Sequence, residues 1–296
     1  MTAPAIAAHA LRRSFGPLTV IDDVDMRVET GEVFALLGAN GAGKTTMISI
    51  LTTLVPADAG TASVAGFDVA AEPAEVRRRI SLTGQSAAVD DALSARENVT
   101  MFARLAGLGI RAARTRSTEL LERFDLAEAA GRRVRTFSGG MRRRLDLALS
   151  FVVTPQVLFL DEPTTGRDTR SRRELWALIR SLAEAGTTVF LTTQYLEEAD
   201  QLADRVAVLE GGRIVALGTP AELKARVGGD TGELRDEQGA LLREIATDGT
   251  VPGLRRALDA LDAEGARGVV SLRRPTLDDV FLAATANSTT LTKEIA

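Results

Sequence analysis

Gly38-Ala-Asn-Gly-Ala-Gly-Lys44-Thr45 is the stretch from which the fold can be read. It matches GxxxxGK[ST], a glycine-rich loop that carries meaning between a strand and a helix. Glu32–Leu37 reads as the strand before it, and a helix is predicted to start at its end. The glycines let backbone N–H groups turn inward around phosphate oxygens. The helix start adds the positive end of its dipole. Gly38, Asn40, Gly41, Ala42 and Gly43 would form the cradle, with Thr46 following it. Lys44 would neutralise the β- and γ-phosphates, and Thr45 would offer its hydroxyl to Mg2+. By itself the loop says that the chain binds a nucleoside triphosphate.

Outward from this loop, short apolar strands alternate with helical stretches from Ile6 to about Leu217. Val24, Met26 and Val28 alternate with polar residues, as in a half-buried strand. Val157–Leu160 and Val189–Leu191 are continuous apolar runs, the pattern of strands covered on both faces of a parallel sheet. Ser171–Ala185 reads as a helix with Leu175, Leu178, Ile179 and Leu182 on one face, stopped at Gly186. Arg205–Leu217 reads as a hairpin turning on Gly211-Gly212. These elements predict an α/β fold.

Val157-Leu-Phe-Leu-Asp161-Glu162 is an apolar strand ending in two acids. Ligands of α/β sheets gather at strand ends. Asp161 is then the residue to hold Mg2+ through its water shell. Glu162 is the candidate general base for an attacking water. The other reading of the pair is a solvated turn.

Phe137-Ser138-Gly139-Gly140-Met141 precedes that strand and resembles the LSGGQ signature of ABC-transporter ATPases. With it, the ordered motifs over roughly residues 6–220 are similar to that family throughout. The resemblance implies an ATP-hydrolysing P-loop domain of the ABC type, with a mixed sheet core, a helical signature subdomain and a small α+β accessory domain. ATP and Mg2+ are the implied cofactors. Ser138, Gly139 and Gly140 would face the γ-phosphate of ATP bound by a second copy, so the implied assembly is a homodimer. Gln85 resembles the glutamine that touches Mg2+ and water and borders the permease-docking surface. Phe15 matches the aromatic position that stacks on adenine, or is a core phenylalanine. Asp168 lies in the segment that helps join the two subunits. Gln194 stands where the family carries a switch histidine, so it becomes a candidate catalytic residue that reads the γ-phosphate. Phe137, Met141, Arg167 and Gln194 depart from the common family pattern, and a slow but intact ATPase is expected.

Gln194, the run Thr136–Arg144, Val89-Asp-Asp-Ala-Leu-Ser94 and Arg274-Pro-Thr-Leu-Asp-Asp-Val-Phe281 together resemble the daunorubicin/doxorubicin-resistance subgroup. That implies export of drug- or lipid-like cargo through a separate integral-membrane permease docking near residues 86–105. Apolar residues Ala87, Ala88, Val89 and Leu93 there either receive the permease or pack between subdomains. The alternatives are an importer ATPase, or a soluble ABC ATPase of translation or repair.

The chain has 296 residues and net charge -4, from 40 acidic and 36 basic side chains. This balance argues against nucleic acid despite the arginines around Arg132–Arg144. With no cysteine, disulfides and thiolate metal sites are excluded. A lone histidine, His9, argues against zinc. No apolar run approaches the roughly 20 residues of a membrane span. The N-terminus lacks the order of a secretory signal. The expected location is therefore the cytoplasmic face of the membrane, reached through the permease. The expected organisation is an ATPase domain over 1–220, its helical subdomain over about 86–155, and an accessory domain over 221–296. In the latter, Ala221–Thr250 is rich in charge and glycine. Leu254, Leu258 and Leu261 suggest a helix, Gly268–Leu272 a strand, and Thr276 with Asp279 a capped last helix, fraying from about Asn287.

Overall fold

The computed structural model describes residues 3–84, 89–166, 168–263 and 267–293, with side chains to 285 in the final helix. The chain divides into two compact units, Met1–Leu217 and Gly218–Ala296.

The first unit opens with two long strands, β1 (Ile6–Phe15) and β2 (Leu18–Val28), paired antiparallel. Then come β3 (Val33–Leu37), α1 (Lys44–Leu51), β4 (Ala59–Val64), β5 (Phe67–Asp68), α2 (Pro73–Arg77) and β6 (Ile80–Thr83). A helical stretch follows: α3 (Ala95–Leu105), α4 (Ile110–Arg123) and α5 (Gly139–Ser150). The unit finishes with β7 (Val157–Asp161), α6 (Thr169–Glu184), β8 (Thr188–Thr193), α7 (Leu196–Leu202), β9 (Arg205–Glu210) and β10 (Arg213–Gly218).

Two sheets result. One runs β2-β1-β4-β5 and is antiparallel; the other runs β10-β9-β3-β8-β7-β6. In the second, β3, β6, β7, β8 and β9 are parallel. The apolar runs of β3, β7 and β8 are buried at every position, as expected of strands covered on both faces. Phe34, Phe190 and Phe159 pack across β3, β8 and β7 with ring centroids 5.7 and 5.5 Å apart. That burial is worth on the order of 2 kcal/mol for each such ring. The parallel core strands β3, β7 and β8 end on one edge, where the phosphate loop, Glu162 and Gln194 follow them.

The predicted helix at Ser171–Ala185 is α6. Its buried face carries Leu175, Ile179 and Leu182, but Trp176 is buried there too, and Leu178 is half-exposed. Gly211 and Gly212, with φ of 55° and 79°, make the turn of the β9–β10 hairpin. Positive φ at both central residues is the geometry that matches strand twist.

The second unit holds α8 (Pro220–Val227), β11 (Thr231–Arg235), β12 (Leu241–Ala246), α9 (Val251–Ala263), β13 (Val269–Arg273) and α10 (Leu277–Lys293). Its sheet has the order β12-β11-β13. Residues 221–250, which read as charged and glycine-rich, contain a capped helix and a hairpin. Their strands are short and β12 is largely exposed, so they carry a weak apolar signal. On α9 the buried face takes Ala257 and Leu261, while Leu258 is exposed. Thr276 and Asp279 cap α10 reciprocally, at 3.3 and 2.9 Å. That helix continues to Lys293 rather than fraying at Asn287, because extending a formed helix costs less than starting one.

Candidate ATP site

The phosphate loop begins where β3 ends. Gly43, at φ 109°, precedes α1 in a conformation that L side chains rarely adopt. A Cβ there would lie 2.7 Å from the Val20 carbonyl of β2, so only glycine fits. The same contact sets the β1–β2 hairpin against the loop. Lys44 is buried and donates to the carbonyls of Gly38 and Ala39 at 2.9 and 3.0 Å. Its Nζ also lies 3.2 Å from Glu162 Oε1.

Asp161 ends β7 and is buried. Thr192, on the neighbouring strand β8, donates to its Oδ1 at 2.6 Å, and Thr45 donates to its Oδ2 at 3.2 Å. The solvated-turn reading of the two acids is therefore wrong: they lie under the loop, not in water. Glu162 takes a left-handed conformation, φ 47°, which costs a non-glycine residue about 1–2 kcal/mol. Its N–H meets the Thr192 carbonyl at 3.1 Å, and Thr165 donates to Oε2 at 3.3 Å. These bonds hold the strained carboxylate toward Lys44 instead of letting it rotate to solvent. Thr192 was given no role in the sequence, and Thr165 entered only as the first residue of the segment that ends at Asp168. Thr192 lies just past the apolar run Val189–Leu191, and its role depends on β7 and β8 being neighbours.

Thr45 and Asp161 supply a hydroxyl and a carboxylate, the hard oxygen donors that suit Mg2+. Among the described residues no group of three or more His, Cys, Asp or Glu side chains converges to hold a metal.

Phe15 sits at the tip of the β1–β2 hairpin and is 47% exposed, so the core-phenylalanine reading fails. The Arg13 guanidinium covers its ring at 4.6 Å. Asp58 anchors Arg13 at 2.6 Å and the Ser14 N–H at 2.7 Å, fixing the tip. Gln194 follows β8 and is half-buried. Gln85 and Arg167 lie outside the described residues, as do Ala87 and Ala88.

Ser138 caps α5, accepting from the Met141 N–H at 3.2 Å. Such a cap contributes about 1 kcal/mol and aims the helix start outward. Asp168 caps α6 in the same way through Ser171, at 2.9 Å. The Ser171 N–H and then its hydroxyl hold the Asp168 carboxyl below its ordinary range. Ser138, Gly139 and Gly140 line a cavity of about 390 Å³ together with Gly166 and Asp168. The structure thus brings the predicted residues together in two groups. Lys44, Thr45, Asp161 and Glu162 form one. The signature residues and Asp168 form the other, and no phosphate-loop residue lines their cavity.

A family model described as ABC transporter matches residues 21–165. Over 96% of both chains, the sequence is 50% identical to a daunorubicin resistance ATP-binding protein of Streptomyces coeruleorubidus. The chain belongs to the ABC-transporter ATP-binding family. It is 48% identical to a doxorubicin resistance ATP-binding protein of Mycobacterium tuberculosis, over 96% of this chain and 95% of that one. The fold is also that of CbiO1 from Clostridium perfringens, part of an ABC transporter complex. There the TM-score is 0.71 at 23% identity, over 76% of this chain and 92% of the other. This ABC protein is an ATPase of the exporter type, and the phosphate loop and carboxylates just described lie within or beside the matched segment. No helix among the described residues is long and apolar enough to cross a membrane.

Proposed function

We propose that two copies of this chain close around two ATP molecules and drive export of drug- or lipid-like cargo through a separate permease. The observation that carries this reading is the division of the site. One chain holds the phosphate loop with Asp161 and Glu162. The signature residues, capped and aimed outward, line a different cavity. Each half lacks what the other has, so a second copy in opposed orientation completes both.

In that assembly Lys44 exchanges its carbonyl and carboxylate partners for phosphate oxygens. Thr45 and Asp161 would hold Mg2+, which would supply positive charge against the phosphate oxygens. Glu162 takes the proton of the attacking water, and Gln194 offers an amide donor to phosphate and an acceptor to that water. Phe15 offers adenine the ring face that Arg13 leaves open. Ser138, Gly139 and Gly140 present hydroxyl and backbone donors to the γ-phosphate of the other copy's ATP.

The permease reading for residues 86–105 is supported by an open groove of about 870 Å³ at α3 and α4. Leu93 and Met101 contribute apolar side chains to its lining, and Arg96, Glu97 and Arg114 charged ones. A short amphipathic helix of a membrane subunit fits such a groove. The chain would then sit at the cytoplasmic face of the membrane, with residues 221–296 as an accessory domain outside the catalytic machinery. Cargo class rests on the resistance relatives.

The test is complementation. Lys44→Ala and Gly140→Asp chains are each expected to be inactive with the permease. Mixed, they form one dimer with a damaged phosphate loop facing a damaged signature, and one intact composite site. Recovery of ATPase activity on mixing supports the split site; no recovery, with both chains folded and assembled, refutes it.

A further inference from the structure

Glu198 is fully buried on α7, the helix that follows Gln194. A carboxylate in such a place normally has a reason to be there. Trp176 of α6 donates its indole N–H to Glu198 Oε1 at 3.1 Å. Trp176 is the chain's single tryptophan and is itself buried. Burial pushes the Glu198 carboxyl up, against the hydroxyls of Thr193 and Thr164 and the more distant charge of Arg172. Thr193 immediately precedes Gln194. Thr164 lies two positions after Glu162. The Thr164 hydroxyl and Glu198 Oε2 are near enough to act on each other, yet neither completes a hydrogen bond. A buried donor and a buried acceptor left this way each carry a desolvation cost that a small movement would relieve.

Three segments therefore meet at one carboxylate. One carries Glu162 and runs on through Thr164 to Asp168. One is α6, which Asp168 caps. The third is the turn carrying Gln194. We propose that Glu198 is a positioning residue that clasps these segments together, and that the Thr164–Glu198 hydrogen bond completes when ATP is bound. The clasp fixes Gln194 relative to Glu162, so the γ-phosphate reader and the base are set as one unit. It also ties both to Asp168, so that events at the dimer contact reach the attacking water. The inference rests on the ATP-site reading given above.

Thr164→Val keeps the side chain's shape and removes its hydroxyl, so the fold is retained. In the permease complex it is expected to leave the apparent KM for ATP within about twofold and to lower kcat about tenfold or more, toward the roughly hundredfold that a 1 Å misplacement can cost. Trp176→Phe should behave likewise. Glu198→Ala should lose the same activity, while Glu198→Gln, which keeps an oxygen for the indole and offers an amide to Thr164, should restore most of it. Emission from the sole tryptophan of the full chain should shift when ATP is added, with ATP binding followed separately by equilibrium dialysis. A folded Thr164→Val or Trp176→Phe chain with wild-type kcat overturns the clasp. So does Glu198→Gln as inactive as Glu198→Ala, or ATP bound with the emission unmoved. Absence of ATP binding in the wild-type chain overturns the ATP-site reading itself, and the clasp with it.

Discussion

Lys44 Nζ and Glu162 Oε1 are 3.2 Å apart, and both side chains are almost entirely withdrawn from solvent. The cation meant for phosphate and the candidate base thus hold each other. Removing either partner strands the other's charge, and breaking a buried pair costs about 3–5 kcal/mol. Glu162→Gln keeps the shape and removes the charge. It is expected to bind ATP at least as tightly as the wild type, since Lys44 loses a competitor, and to lose on the order of a hundredfold in turnover. Lys44→Ala is expected to lose nucleotide binding. Titration with a fluorescent ATP analogue, beside phosphate release, separates the two effects; normal hydrolysis by Glu162→Gln removes that residue from the chemistry.

Gln194 follows β8 and cannot titrate, and His9 is the sole histidine of the chain, on the exposed part of β1. A neutral amide stabilises developing negative charge less than a charged donor does. Gln194→Ala is expected to cut turnover with little change in ATP affinity, and Gln194→His to preserve or raise it. The comparison is made in the permease complex by steady-state kinetics. Unchanged hydrolysis and transport in Gln194→Ala would show that the residue does not read the γ-phosphate.

The groove at α3 and α4 yields a third expectation. Leu93 is half-buried and Met101 exposed, and both line it. Met101→Glu or Leu93→Asp places a charge where an apolar partner would rest. Such chains should bind ATP normally while transport into inverted vesicles falls severalfold, in the way buried interface charges do. Full transport by both variants would move the docking surface elsewhere.

Glu198 gives a pH dependence whose sign follows from its burial. Its folded-state proton affinity is raised above the ordinary value of 4.5. The folded form therefore holds its proton where the unfolded form has lost it. The associated stability is fully present below about the ordinary glutamate value and is lost as pH rises through the folded one. Arg172 acts on this carboxyl from α6, with the Thr193 hydroxyl from β8 and the Thr164 hydroxyl from the segment after β7. Glu198→Gln has no proton to lose. Its melting temperature relative to wild type should therefore climb between acid and neutral pH. A constant difference across that range would mean that folded and unfolded Glu198 bind their proton equally well, so that burial does not raise its affinity.

The phosphate loop, the Asp161-Glu162 strand end and the order of the motifs were determined by sequence alone. Backbone cradles need glycine, and fully covered strands need unbroken apolar runs, so both leave local marks. The capped start at Thr276 was legible because a cap is a contact between near neighbours in the chain. Tertiary structure alone decided what depends on which strands lie side by side. Thr192 meets Asp161 because β7 and β8 are adjacent, and Lys44 meets Glu162 because β3 and β7 end on one edge. Phe15 proved exposed because it falls at a hairpin tip, a position that its neighbours in sequence do not disclose. In sequence Glu198 is one more acid in Leu196-Glu-Glu-Ala-Asp200, with no local mark of its role. Only the packing of α7 against α6 and β8 places it in the interior beside Trp176, because burial is a property of the assembled fold and not of the residue.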